Sequence, residues 1–118
     1  ETSIMNLKSH IKRSKIYKGT IWYSNGFINN GIHFIDLMNT LLGKSSQIEL
    51  ISINNNYSKN TLDYDIDFKI TYEKGEIYFI SWPEKYYSNY KVEIFTESKR
   101  FVIDNNGLSS SSSSVGSI

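Results

Sequence analysis

The sequence has no cysteine, which excludes disulfides and every thiolate metal site and fits a cytoplasmic origin. Long hydrophobic runs are also missing. Its apolar stretches end after a few residues, far short of the roughly 20 that a membrane helix needs, and no charged-then-apolar start resembles a signal peptide. A soluble domain with no membrane partner is expected. Neither sign of charge dominates: 13 Lys and Arg against 12 Asp and Glu leave +1, and their interspersion argues against a nucleic-acid partner, which needs a concentrated basic face. The one basic cluster, Lys8, Lys12, Arg13, Lys15 and Lys18, has no interleaved aromatics and reads as a solvated helix face rather than a phosphate-binding patch. The chain contains no GxGxxG, no phosphate loop, no Ser nucleophile motif and no HExxH, so no cofactor or hydrolytic chemistry is legible by motif alone.

What is present is Ile, Tyr and Phe in quantity, residues that favour pleated, half-buried surfaces. With 118 residues, the chain is long enough for one core. Leu7, Ile11 and Ser14 recur at helical spacing among basic residues, predicting a short amphipathic helix that Gly19 stops. Thr20 to Tyr23 predicts a strand and Ser24-Asn25-Gly26 a turn. Ile32 to Leu42 carries apolar residues on nearly every side and ends at Gly43, the pattern of a buried helix with a natural terminating glycine. Asn29 or Asn30 could cap its first turn, and Gly31 would let the backbone approach a neighbour closely.

Beyond the helix the period changes to two. Gln47 to Ile53 predicts a strand, and Asn54 to Asn60 a polar loop. Leu62, Tyr64, Ile66, Phe68, Ile70 and Tyr72 then alternate with Asp63, Asp65, Asp67, Lys69, Thr71 and Glu73, which puts one face against a core and the other in water. Glu73-Lys74-Gly75 turns the chain into a partner strand, Glu76 to Trp82, ended by the single proline, Pro83. A second hairpin is expected from Tyr90 to Ile103 around Glu97-Ser98-Lys99. Asn105-Asn106-Gly107 should close the ordered region, leaving residues 108–118 as a low-complexity Ser-rich tail.

Most chemical readings of these residues fail on spacing. The Asp63, Asp65, Asp67 series lacks the following Gly and the later bidentate Glu of a calcium loop, so a solvated strand face is expected and no metal site. The rings of Trp22, Tyr23, Trp82, Tyr86, Tyr87 and Tyr90 could form a platform for sugar faces. Packing is the expectation for Trp82 and Tyr90, with Tyr86 and Tyr87 open to either role. His10 has no partner nearby in sequence and should face solvent. His33 lies in the first turn of an apolar helix, with Asp36 one turn on and Asn29 four residues before. It is either half of a proton-transfer pair or a buried histidine held by a structural hydrogen bond, and spacing favours the second.

The stretch Asn29-Asn30-Gly31-Ile32-His33-Phe34-Ile35-Asp36-Leu37, ending in Leu41-Leu42-Gly43, resembles the Gly-x-His-x-x-Asp-Leu helix that opens the second domain of the Gfo/Idh/MocA family, named for glucose-fructose oxidoreductase and inositol dehydrogenase. The short helix before it, the alternating strands after it and the hairpin from Val92 to Ile103 follow in the family's order, so the resemblance covers most of residues 7–107. It implies an α+β fold: a mainly antiparallel open sheet with the buried helix on one face. Residues 1–107 would be the C-terminal substrate-binding and oligomerisation domain of an NAD(P)-dependent oxidoreductase. NAD or NADP would be bound mainly by an N-terminal Rossmann domain absent from this chain.

By the same resemblance His33 takes the place of the active-site histidine, near the substrate hydroxyl and the nicotinamide. Many members carry Asp four residues before it. Asn29 here removes a negative charge that would favour protonated His33, while its amide can still hydrogen-bond. Tyr23, Asn25 and Asp36 are further candidates to line the substrate pocket. The expected partners are a sugar, sugar-nucleotide or polyol substrate and a second copy of the chain through the sheet. The alternative is a non-catalytic sugar-binding or assembly module.

Overall fold

The computed structural model describes residues 2–58, 61–104 and 107–112. Helix α1 spans Thr2–Arg13, strand β1 Tyr17–Tyr23, and a π-helical turn Phe27–Gly31 runs into α2, Ile32–Leu42. Six strands follow: β2 Ser45–Ser58, β3 Thr61–Tyr72, β4 Gly75–Ser81, β5 Lys91–Thr96, β6 Lys99–Asp104 and β7 Gly107–Ser112. They form one seven-stranded sheet in the order β2-β3-β4-β1-β5-β6-β7. Only β1 and β4 pair in parallel; every other neighbouring pair is antiparallel. The fold is thus the expected α+β class, and among the described residues no helix is long and apolar enough to cross a membrane.

Alternation along the strands sends one set of side chains inward. Tyr17, Ile21 and Tyr23 of β1, Phe68, Ile70 and Tyr72 of β3, Ile77 and Phe79 of β4, and Val92 and Ile94 of β5 form one core. Both helices close that face, α1 through Leu7 and Ile11 and α2 through Met38 and Leu41. α1 buries one stripe and leaves its lysines in water, as its spacing predicts. α2, apolar nearly all round, also buries only one side: Ile32 remains 39% exposed, and His33, Asp36, Asn39 and Thr40 are exposed. Its C-terminus stops at Gly43, whose amide donates to the Asn39 carbonyl at 3.0 Å.

Three segments depart from expectation. Asn54 and Asn55 are not in a loop; they continue β2 opposite Asp65 and Tyr64. Backbone pairing needs no particular side chain, and β3 supplies a partner along that whole length, so poor β formers are carried into the strand. Asn60 lies outside the described residues. The serine run does not stay out of the sheet: Ser109 to Ser112 pair with Val102 to Lys99 as part of β7. Serine brings nothing to bury, but the free edge of β6 offers its amides and carbonyls, and that suffices for an outer strand. Finally, His10 is half-buried, its Nε2 2.9 Å from Thr96 Oγ1 and its ring against Phe101. The partner sits 86 residues away, beyond the reach of any local reading.

Candidate functional site

The site is the junction of the π turn with α2. Ser24-Asn25-Gly26 reverses the chain after β1, with Asn25 and Gly26 both at positive φ, 66° and 87°. Asn tolerates this region and Gly adopts it freely. At Gly26 space matters as well, since a Cβ would lie 2.3 Å from Asp63 Oδ2. Gly31 is needed for close approach, as expected: a Cβ there would meet Phe27 at 2.9 Å and the Tyr23 ring at 3.2 Å.

Neither Asn29 nor Asn30 caps the helix. The helical run begins earlier than the apolar pattern, as a π turn in which the amides of Asn30 and Gly31 both donate to the Gly26 carbonyl, at 3.0 and 3.1 Å. The amides left over, those of Ile28 and Asn29, are capped from across the fold by Asp63, at 2.8 Å to Oδ1 and 3.0 Å to Oδ2. A third amide, that of Tyr64, donates to Oδ1 at 2.6 Å. Asp63 is therefore not on a wet strand face; it is 1% exposed and satisfied by three amides. Sequence reasoning missed it because an aspartate in an alternating strand carries no mark of a distant turn that needs an acceptor.

Asn30 instead ties the junction down. Its Nδ2 donates to the Ser24 carbonyl at 3.0 Å and to the Tyr90 hydroxyl at 2.8 Å. Ser24 Oγ in turn donates to the Trp82 carbonyl at 3.0 Å and accepts from the Asn89 amide at 2.9 Å. The turn is thus fixed from β1, β3 and the segment after β4.

On this support Asn29 and His33, one helical turn apart, both face solvent, with Asp36 a further turn along. Neither alternative for His33 is realised: it is exposed, and among the described residues it makes no hydrogen bond with Asp36 or any other group. Ile28 and Ile32, which precede Asn29 and His33 in sequence, are exposed as well, at 54% and 39%. Asn25 is half-buried at the turn below. Tyr23 stands apart from the others. It is fully buried, its hydroxyl donating to the Ile66 carbonyl at 2.6 Å and accepting from the Ile66 amide at 3.1 Å. Burial drives its pKa far above the ordinary range, and it has no exposed surface to offer a ligand. Tyr86 and Tyr87 are exposed, and both rings lie near that of the half-buried Trp82, at 6.0 and 5.3 Å.

A dinucleotide can be tested against this geometry. A helix N-terminus receives a pyrophosphate through free amides, but here the first free amides already belong to a buried carboxylate. The chain therefore offers no pyrophosphate cradle at α2.

No protein-family model matches the sequence, nor does any curated protein. Solved structures do. A dehydrogenase (MviM) from Clostridium difficile superimposes with a TM-score of 0.53 at 13% identity, over 91% of this chain and 42% of that one. The WlbA (WbpB) dehydrogenase from Thermus thermophilus, solved with NAD and α-ketoglutarate, gives 0.57 at 16% identity, over 88% of this chain and 40% of that one. The chain spans about two-fifths of the length of these structures. It has the fold of the part of these dehydrogenases that it covers, which is the fold implied by the resemblance to the Gfo/Idh/MocA family.

Proposed function

We propose that this chain is the substrate-side domain of an NAD(P)-dependent oxidoreductase acting on a hydroxyl of a sugar, sugar nucleotide or polyol. The observation that carries the reading is the exposure of Asn29 and His33 together, on a helix start braced from three directions, in a fold shared with two dehydrogenases. A histidine held on a rigid scaffold yet without a partner among the described residues is available for an outside group. The exposed Ile28 and Ile32 beside it fit a surface completed by a nucleotide-binding half.

The nicotinamide, when bound, would accept or return the hydride. His33 would take the proton from the reacting hydroxyl oxygen during oxidation and give it back during reduction. Asn29 would orient the substrate or the nicotinamide carboxamide through its amide, and Asp36 and Asn25 would bound the pocket on either side. Tyr23 has no part in this arrangement beyond packing under Gly31.

The second reading, a non-catalytic sugar-binding or assembly module, is favoured by Asn29 itself, which lacks the charge an aspartate would bring to His33. The two are separated by incubating the protein that joins this domain to its nucleotide-binding half with NAD or NADP and a panel of hexoses, sugar nucleotides and cyclic polyols. Substrate-dependent formation of reduced nicotinamide with at least one of them is expected. Sugar binding without any turnover would move the assignment to the module.

A further inference from the structure

An open groove of about 560 Å³ lies between α1 and the β6–β7 hairpin, lined by Asn6, Ser9, His10 and Arg13 on one side and Lys99 and Ser110 on the other. Among the described residues no carboxylate lines it. Arg13 and Lys99 form no ion pair among the described residues. The acid nearest in sequence to Lys99, Glu97, is turned to the amides of Lys15 and Ile16, with contacts of 3.0 to 3.4 Å. Cations on two separate elements thus line one polar concavity, a different object from a solvated row of lysines along one helix.

His10 adds a third group. Its Nε2 lies 2.9 Å from the Thr96 hydroxyl, a contact that either neutral tautomer can make. Nδ1 makes no hydrogen bond among the described residues. It is also not among the buried unpartnered atoms, so it reaches solvent.

We propose that this groove binds a small phosphate-bearing anion, with Arg13 and Lys99 supplying charge, His10 Nδ1 a hydrogen bond, and Asn6, Ser9 and Ser110 neutral donors at the rim. A phosphoryl dianion matches this set better than a carboxylate, since it brings up to two charges and three acceptor oxygens to several donors. Burial, with Lys99 and Arg13 adding to it and Glu97 opposing, holds the free His10 pKa below its ordinary value. An anion bound here favours the protonated ring, so binding near neutral pH draws a proton onto His10 and affinity should weaken as pH rises.

The test is a pH titration of the His10 ring resonances by NMR, with His33 as internal reference, in inorganic phosphate against sodium chloride at equal ionic strength. Saturable phosphate binding should raise the His10 midpoint by about one pH unit and leave His33 in place. Affinity should fall about tenfold or more in Arg13→Gln and in Lys99→Gln, both of which alter solvent-accessible charges and should keep the wild-type melting temperature. A hexose phosphate that binds more tightly than inorganic phosphate identifies a phosphate ester as the ligand, and equal affinity identifies free phosphate. If both histidines drift together without saturation, or if the two variants bind as well as the wild type, the groove is not an anion site.

Discussion

Three backbone amides converge on the Asp63 carboxylate, and two of them open the helical run that ends in the candidate site. A carboxylate that caps a helix start satisfies orphan donors and opposes the positive end of the helix dipole. Asp63→Ala should cost about 1 to 3 kcal/mol, the penalty for leaving buried amides unpaired. The signature that separates a cap from general stability is local: hydrogen exchange at the Ile28 and Asn29 amides should accelerate more than at Ile21 in the core. Uniform acceleration would remove the positioning role. At this scale the sequence was only half legible. That Asn29, His33 and Asp36 follow one side of a helix is readable from their spacing, but the exposure of His33 is not, because the apolar pattern of α2 points to burial. Asp63 and Asn30 were not legible either, because their partners lie on other elements. Tyr23 was misplaced because nearness in sequence to the helix says nothing of which way a strand residue points.

At the scale of elements, α2 is joined to the sheet by the Tyr72 hydroxyl, which donates to Asn39 Oδ1 at 2.8 Å. Burial, with a smaller contribution from Tyr17, pushes the Tyr72 pKa up from 10.0 to about 12. The unfolded chain therefore loses this proton first as pH rises. Stability from Tyr72 is complete below pH 10 and falls toward pH 12, with a slope of up to about 1.4 kcal/mol per pH unit. Urea unfolding at pH 9 and pH 11 should show the loss, and Tyr72→Phe should cost about 1 kcal/mol at pH 9 yet flatten the alkaline decline. An unchanged alkaline slope in that variant would assign the effect to other tyrosines. Elements were legible wherever period and punctuation agreed, as in α2 with Gly43 or in the β3–β4 hairpin. The π turn was not, because it carries no periodic signal of its own. The extension of β2 through Asn54 and Asn55 and the pairing of Ser109 to Ser112 were hidden because both rest on backbone bonds to a neighbour strand.

Across the whole molecule, both helices cover one face of the sheet, and no described helix covers the other. That outer face carries the rows Lys69, Tyr78, Thr20, Glu93 and Glu76, Lys18, Phe95, Arg100 in register across β3, β4, β1, β5 and β6. Its charges pair internally, Lys69 with Glu76 and Arg100 with Glu93, and Lys18 and Lys69 lie over the Tyr78 ring. Asp63 is absent from it. The face is therefore less acidic than alternation alone implied, and the self-association expected of the sheet would be polar if this surface carries it. Light scattering should show reversible dimerisation of modest affinity, weakened by Phe95→Glu; a monomer at high concentration would exclude that surface. The central claim, the proposal that the start of α2 handles the substrate hydroxyl, is tested most directly by His33→Asn in a protein carrying this domain together with the proposed nucleotide-binding half. The exposed ring holds nothing together, so the melting temperature and NAD(P) affinity should stay unchanged while turnover falls by at least about tenfold, the smaller end of what positioned proton transfer contributes. Turnover retained at the wild-type rate per folded molecule would contradict the account.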